Sequence, residues 1–313
     1  MHRAAMTEVR LVNWLKSGRG QGFGKDYHPF LQITRQDHAS HGHSHIIPNQ
    51  FIGRQHHLLS TLERKAGILN LAQPVVKDFR EQYPQWPCFH ESPLASLYGH
   101  LGLDWSGAHP ANSEGTLAIA KSMSVRHASF VGLQIPYAYS TDQLLTLQIK
   151  GRPPTLAAVC IKYRSELRPK KVRAKMFRKL RLEREYWRRL GIPWLLVTER
   201  EVNEQVYQNL EWALSGAIQR IQPGDLALLN RFVLAFGGAE WGGRCLDQMD
   251  VVSKALDINL STTIRMLKLA IWRALIPVDL TQLVDLQRPL VKKGFPRTAI
   301  DAWSPLAKLE RPL

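Results

Sequence analysis

Cysteine is scarce in this chain: Cys88, Cys160 and Cys245 are the three among 313 residues, far apart and without C-x-x-C spacing. That argues against a disulfide framework and against a structural zinc site, so the three are expected as reduced thiols. No run of 18 apolar residues is present, which excludes an ordinary membrane-spanning helix, and no stretch reads as a signal peptide. The expected location is the cytoplasm. Acid is also in short supply, with 26 Asp and Glu against 42 Lys and Arg, for a formal net charge of +16. Such a chain is drawn to a polyanion by counterion release, and nucleic acid is the partner this favours. Hydrophobic residues make up 44% of the sequence, and the length allows two domains with a core each.

The surplus charge is concentrated. Residues 162–189 hold thirteen Lys and Arg against three Glu, a binding face rather than general solubility. Lys170, Lys171, Arg173, Lys175 and Arg178 in this stretch are candidate DNA contacts. A basic amphipathic helix can also rest on a membrane, but nothing else in the sequence supports that use. A second candidate lies near the start, where four glycines alternate with other residues in GRGQGFGK (18–25). The spacing fits neither the dinucleotide fingerprint nor the Walker pattern. Two readings stay open: a loop that brings Arg19 and Lys25 to a DNA phosphate, or a flexible turn. His38, His41, His43 and His45 follow, and without an accompanying Cys or carboxylate set they read as a solvated loop rather than a metal site.

Residues 56–72 carry apolar side chains at helical steps, with Ser60 near the start and Glu63 beside the apolar stripe. Residues 88–114 turn to Pro, Gly, Ser, His and aromatics, which reads as a long loop or insertion. Strands are expected over 130–139, 143–149 and 155–163, the last two joined by the turn Gly151-Arg152-Pro153-Pro154. A hairpin centred there pairs position 142 with about position 163, which makes Asp142 and Lys162 near neighbours. Lys150, in the similar tripeptide Gln148-Ile149-Lys150, stands roughly 26 Å from Asp142 along one strand and cannot share a phosphate with it. Asp142 and Lys162 then form either part of a hydrolytic site, with Glu63 as the other acid, or a simple cross-strand ion pair. A helix ending at Gly191-Ile192-Pro193, a short strand over 194–198 and a helix over 202–218 complete an α/β order with a mixed sheet.

Several segments, in order, resemble the TnsA endonuclease subunits of heteromeric cut-and-paste transposases: GRGQGFGKDYHPFL (18–31), HHLLSTLE (56–63), FREQYP (79–84), STD (140–142), LRLEREYW (180–187) and GIPWLLVTEREVN (191–203). The likeness covers roughly residues 8–215, broken by an insertion near 90–114. It implies a restriction-endonuclease-like fold over residues 1–200 that cuts the 5′ ends of the transposon while the transposase TnsB processes the 3′ ends. It implies Glu63 and Asp142 as catalytic, metal-binding acids, Lys162 as the catalytic lysine, Glu183 beside the site, and Mg²⁺ or Mn²⁺ as the cofactor. One position departs. Two residues before the lysine the family has Gln, and this chain has Cys160, whose thiol is a poor ligand for a hard cation. Completion of the metal shell by the Ile161 carbonyl, another carboxylate and waters is one outcome; impaired catalysis is the other.

The C-terminal part, residues 201–313, reads as mostly helical. Helices are expected over 247–256 and 262–273, with Ser261 as an N-cap and residues 276–280 opening a β-wing, a winged-helix rhythm. The resemblance adds contact with the ATP-dependent regulator TnsC. Two functions follow: a metal-dependent DNA endonuclease within a transposase, acting on double-stranded DNA at transposon ends, or a non-catalytic DNA-binding assembly factor of the same complex.

Overall fold

The computed structural model describes residues 6–33, 43–49, 51–105, 107–167, 174–218, 222–238, 242–294 and 300–309. After helix α1 (Glu8–Lys16), a hairpin of β1 (His45–Asn49) and β2 (Arg54–Leu58) leads into helix α2 (Thr61–Leu71) and the long strand β3 (Val76–Gln85). Residues 56–58 therefore belong to a strand, where a helix over 56–72 was expected. Ser60 is the reason: its extended backbone and side-chain cap on the Glu63 amide start the helix there, and the apolar Leu58 and Leu59 only mimic another turn.

The segment corresponding to residues 90–114 is built rather than loose. β4 (His90–Glu91) pairs with β5 (Asn112–Ser113) around helix α3 (Pro93–Leu101), and helix α4 (Gly115–Ser122) follows. Over 130–139 the chain makes only the isolated bridge of Ser129 with Pro136 before β6 (Tyr139–Leu147) begins, so the strand expected there is absent. β7 (Thr155–Ile161), helix α5 (Arg164–Leu167), helix α6 (Ala174–Arg189) and β8 (Trp194–Val197) complete a sheet of order β3-β6-β7-β8. Its first two pairings are antiparallel and the last is parallel, a mixed sheet as the element order implied.

Both faces of the sheet are covered. On one side Phe79, Leu145 and Val159 join a hydrophobic cluster with Leu62 of α2 and Val206 and Leu210 of helix α7 (Glu204–Ala217). On the other, Leu144 and Ala158 pack with Leu182 and Trp187 of α6. The first cluster continues without a break into helices α8 (Asp225–Gly237), α9 (Cys245–Leu256) and α10 (Leu260–Trp272), through Phe232, Met249 and Met266. α9 and α10 lie where the helix pair was expected. The N-cap of α10 is Asn259, which accepts from the Thr262 amide, and not Ser261, which lies inside the helix. Of the wing, the described residues contain the single bridge Val278 with Lys292.

β3 ends the sheet, and its outward carbonyls find partners outside it. Arg54 donates to Phe79 O, Tyr27 Oη to Glu81 O (3.0 Å) and the Phe30 amide to Gln82 O (3.3 Å). Glu81 itself lies buried against Arg54, which grips both carboxylate oxygens at 2.8 and 2.7 Å, and it accepts from the His57 amide at 2.9 Å. Burial alone would raise its pKa. His56 and Arg54 outweigh that and hold it at about 2. Burial lowers the pKa of His56, so at neutral pH the lasting positive charge on Glu81 is Arg54.

Candidate active site

Glu63 is placed by local rules before tertiary ones. Its amide donates to the Ser60 hydroxyl oxygen (3.1 Å), and its carboxylate turns back over the helix start to accept from the Leu59 amide (2.9 Å) and Ser60 Oγ (3.2 Å), a variant of the capping box. From the sheet, Gln82 Nε2 donates to Glu63 Oε2 at 3.1 Å, and Gln143 Nε2 donates to the Glu63 carbonyl at 3.2 Å. Among the described residues no Lys or Arg pairs with this carboxylate. Burial, and next the charge of Asp142, push its pKa up to about 8.

Asp142 stands on β6 and is equally enclosed. A single oxygen, Oδ2, accepts both the Ile161 amide (2.6 Å) and the Lys162 ammonium (2.8 Å). The ammonium also donates to the Ile161 carbonyl at 2.6 Å. Burial works against the charge on Lys162, but Asp142 prevails and the pKa lies well above the ordinary lysine value. The hairpin therefore brings Asp142 and Lys162 together, as its turn implied, although in a different register. Gln143 pairs with Val159 and Leu147 with Thr155, so position 142 falls opposite 160 rather than 163. The loop from 148 to 154 takes more residues from the β6 side than a turn centred on 151–154 would.

Cys160 is 1% exposed, close enough to α6 for the charges of Glu183 and Lys179 to act on its thiol. Burial and then the nearby Glu183 push its thiol pKa well up, which keeps the sulfur protonated. Glu183, on α6, is buried too, and burial raises its pKa while Lys179 pulls the other way. It accepts from Thr141 Oγ1 (3.2 Å), whose oxygen in turn accepts from Gln85 Nε2 (2.7 Å) and Trp187 Nε1 (2.8 Å). Glu63, Asp142, Lys162, Cys160 and Glu183 are thus gathered at one region of the sheet.

Gln82 also belongs to this neighbourhood, although its residue type alone does not suggest chemistry. The β3–β6 ladder pairs Glu81 with Gln143 and Tyr83 with Thr141 but skips the rung between Gln82 and Asp142. At that gap Gln82 takes a left-handed backbone, φ 49°, which costs a non-glycine residue about 1–3 kcal/mol. The strand's alternation changes phase there: Glu81 faces the α2 side with Arg54, whereas Tyr83 packs near Trp187 on the α6 side. Gln82 is named only by its place in FREQYP, since no side-chain pattern announces a left-handed residue inside a strand.

Of the candidate DNA contacts, Lys175 and Arg178 line a cleft of about 710 Å³ between α6 and residues 125–129. Arg126 and Lys179 line it as well, and among the described residues no acid does. Lys170, Lys171 and Arg173 lie outside the described residues. Arg19 has an internal role, stacked over Trp14 at 4.2 Å and donating to Phe30 O at 3.4 Å, while Lys25 is exposed. The glycine run is held by close packing: a Cβ at Gly20, whose φ is +80°, would stand 2.4 Å from Pro84 Cγ.

No three His, Cys, Asp or Glu side chains among the described residues form a ready-made metal cage. The donors on hand are the carboxylates of Glu63 and Asp142 and the Ile161 carbonyl. Such an oxygen set fits Mg²⁺, which keeps several waters and needs only one or two carboxylates. The sulfur of Cys160 does not belong in it.

Two acids and a lysine thus meet at one region of a mixed α/β sheet. Residues 73–199 match the TnsA-like endonuclease N-terminal family. The transposon Tn7 transposition protein TnsA of Escherichia coli is 30% identical over 263 residues, spanning 83% of this chain and 82% of that protein. This chain belongs to the TnsA-like endonuclease family.

Proposed function

We propose that the chain is the DNA endonuclease subunit of a transposase, cleaving the 5′ ends of the transposon by metal-dependent phosphodiester hydrolysis. The observation that carries this reading is the approach of Asp142 and Lys162 to within 2.8 Å beside a buried Glu63 that pairs with no cation among the described residues. A buried carboxylate left so is costly unless something positive joins it. Bound between Glu63, Asp142 and the Ile161 carbonyl, Mg²⁺ or Mn²⁺ would polarise the scissile phosphate and lower the pKa of a water. The residues do the rest. Glu63 and Asp142 supply oxygens, and Lys162, charged and tethered to Asp142, stabilises the negative charge that develops on the phosphate. The cations of the α6 cleft hold the strand through its phosphates. The partners are double-stranded DNA at transposon ends, a TnsB-like transposase and a TnsC-like ATP-dependent regulator.

Cys160 favours a second reading, a non-catalytic DNA-binding assembly factor, because a buried protonated thiol replaces the family's amide. Cleavage of transposon-end DNA, with the TnsB-like partner and Mg²⁺ or Mn²⁺ present, separates the two. Wild type is expected to cut the 5′ ends and Asp142→Ala to fail; equal processing by both sinks the nuclease reading.

A further inference from the structure

Gln82 combines three features that a plain strand residue does not need. Its backbone is left-handed, it occupies the missing rung opposite Asp142, and both ends of its buried amide are engaged. Nε2 donates to Glu63 Oε2 at 3.1 Å, and Oε1 accepts from Ser140 Oγ at 3.0 Å. Ser140 is two residues from Asp142 on the same strand, so the amide joins the helix that carries one acid to the strand that carries the other. In regular alternation Gln82 would follow Arg80, which packs against Tyr83 and Phe23. The left-handed turn aims it at Glu63 instead, and the Phe30 amide satisfies the Gln82 carbonyl in that position (3.3 Å).

We propose that Gln82 is a positioning residue of the nuclease site, setting the direction in which the Glu63 carboxylate faces relative to Asp142. The inference rests on the reading of Glu63 and Asp142 as the acids that serve hydrolysis. Residue type matters at this point. The side chain must donate to Glu63 and accept from Ser140 while carrying no charge. Asn has the groups but lacks the reach, Glu would set a further acid beside Glu63, and Met fills the space without a hydrogen bond. The capping contacts from Leu59 and Ser60 fix where the Glu63 carboxylate begins, and among the described residues Gln82 is its one side-chain partner from the sheet.

Glycine separates the backbone from the amide, because it adopts a positive φ without strain. Full-length Gln82→Gly is expected to keep its unfolding midpoint, while Mn²⁺ affinity by titration calorimetry without DNA, and cleavage with the partner transposase, each fall roughly 10- to 100-fold, the usual loss when the support of a metal-binding carboxylate is removed. Gln82→Met should lose as much, and so should Gln82→Asn, whose shorter side chain does not reach Glu63. Wild-type Mn²⁺ affinity and cleavage in Gln82→Gly would overturn the proposal, as would losses that merely track a lower unfolding midpoint, or a wild type with no measurable Mn²⁺ affinity. Asp142→Ala serves as the separate control: unimpaired cleavage by that variant ends the nuclease reading, whatever Gln82 does.

Discussion

Two buried glutamates less than twenty residues apart in sequence meet opposite fates. Glu81 has its compensation built in: Arg54 on both oxygens, the His57 amide, and a pKa held at about 2. Glu63 has neutral donors only, and burial with Asp142 nearby pushes it up to about 8. The same side chain at similar depth is a structural ion in one place and an unmet demand for positive charge in the other. A fold that supplies an arginine to Glu81 gives the one nearby lysine to Asp142 and leaves Glu63 with neutral donors among the described residues, and that inequality marks the site more clearly than either acid alone.

The contrast can be broken at several points. The largest effect is expected at Asp142→Ala, which should lower end cleavage by roughly 10³-fold, the scale of losing a charge stabiliser of the transition state. At the other glutamate, Glu81→Gln should leave the chemistry's own residues untouched but strand Arg54, at a cost of about 3–5 kcal/mol in denaturant unfolding. A loss below about 1 kcal/mol would show Glu81 to be no structural ion.

The pH dependence sharpens the comparison, since the two shifts have opposite signs. Free Glu titrates near about 4.3, so between there and about 8 the native protein holds a proton at Glu63 that the unfolded chain has released. Stability from this group therefore declines as pH rises through that window, and Glu63→Gln should remove the slope in urea unfolding without added metal. For Glu81 the stabilisation is complete above its unfolded pKa and is lost as pH falls toward about 2. A metal-free profile that rises between pH 5 and 8, with no change in Glu63→Gln, would contradict the assignment. The smallest effect is expected in the cleft, where each of Arg126→Gln and Lys179→Gln should reduce the salt slope of DNA binding by about 0.9 with little dependence on sequence. Unchanged slopes would remove this cleft from the strand's path.

Much of this arrangement could be read from residues alone. The turn at 151–154 joined the strands of Asp142 and Lys162 and set Lys150 aside, because a two-strand ribbon brings its arms together whatever the register error. The error itself, 160 rather than 163 opposite Asp142, came from loop length, which side-chain types do not report. Similarly, the periodicity that ran a helix back to residue 56 missed that His56 and His57 pair with β1, a contact set by a partner strand. Gln82 was beyond reach because its backbone angle is imposed from outside the strand, by Glu63, Ser140 and Phe30 together. Glu63 was legible as a helical acid; that no cation awaits it is a property of the whole neighbourhood.

The glycine run near the start has a wider consequence. β3 is an end strand, and such strands tend to recruit a second chain through their unpaired backbone groups. Here the segment around residues 20–30 folds along it, with Gly20 close enough to Pro84 to exclude any side chain and with Tyr27 and Phe30 on the carbonyls of Glu81 and Gln82. It behaves as a fitted cover over an otherwise sticky edge, and the close approach at Gly20 is what lets it lie flat there.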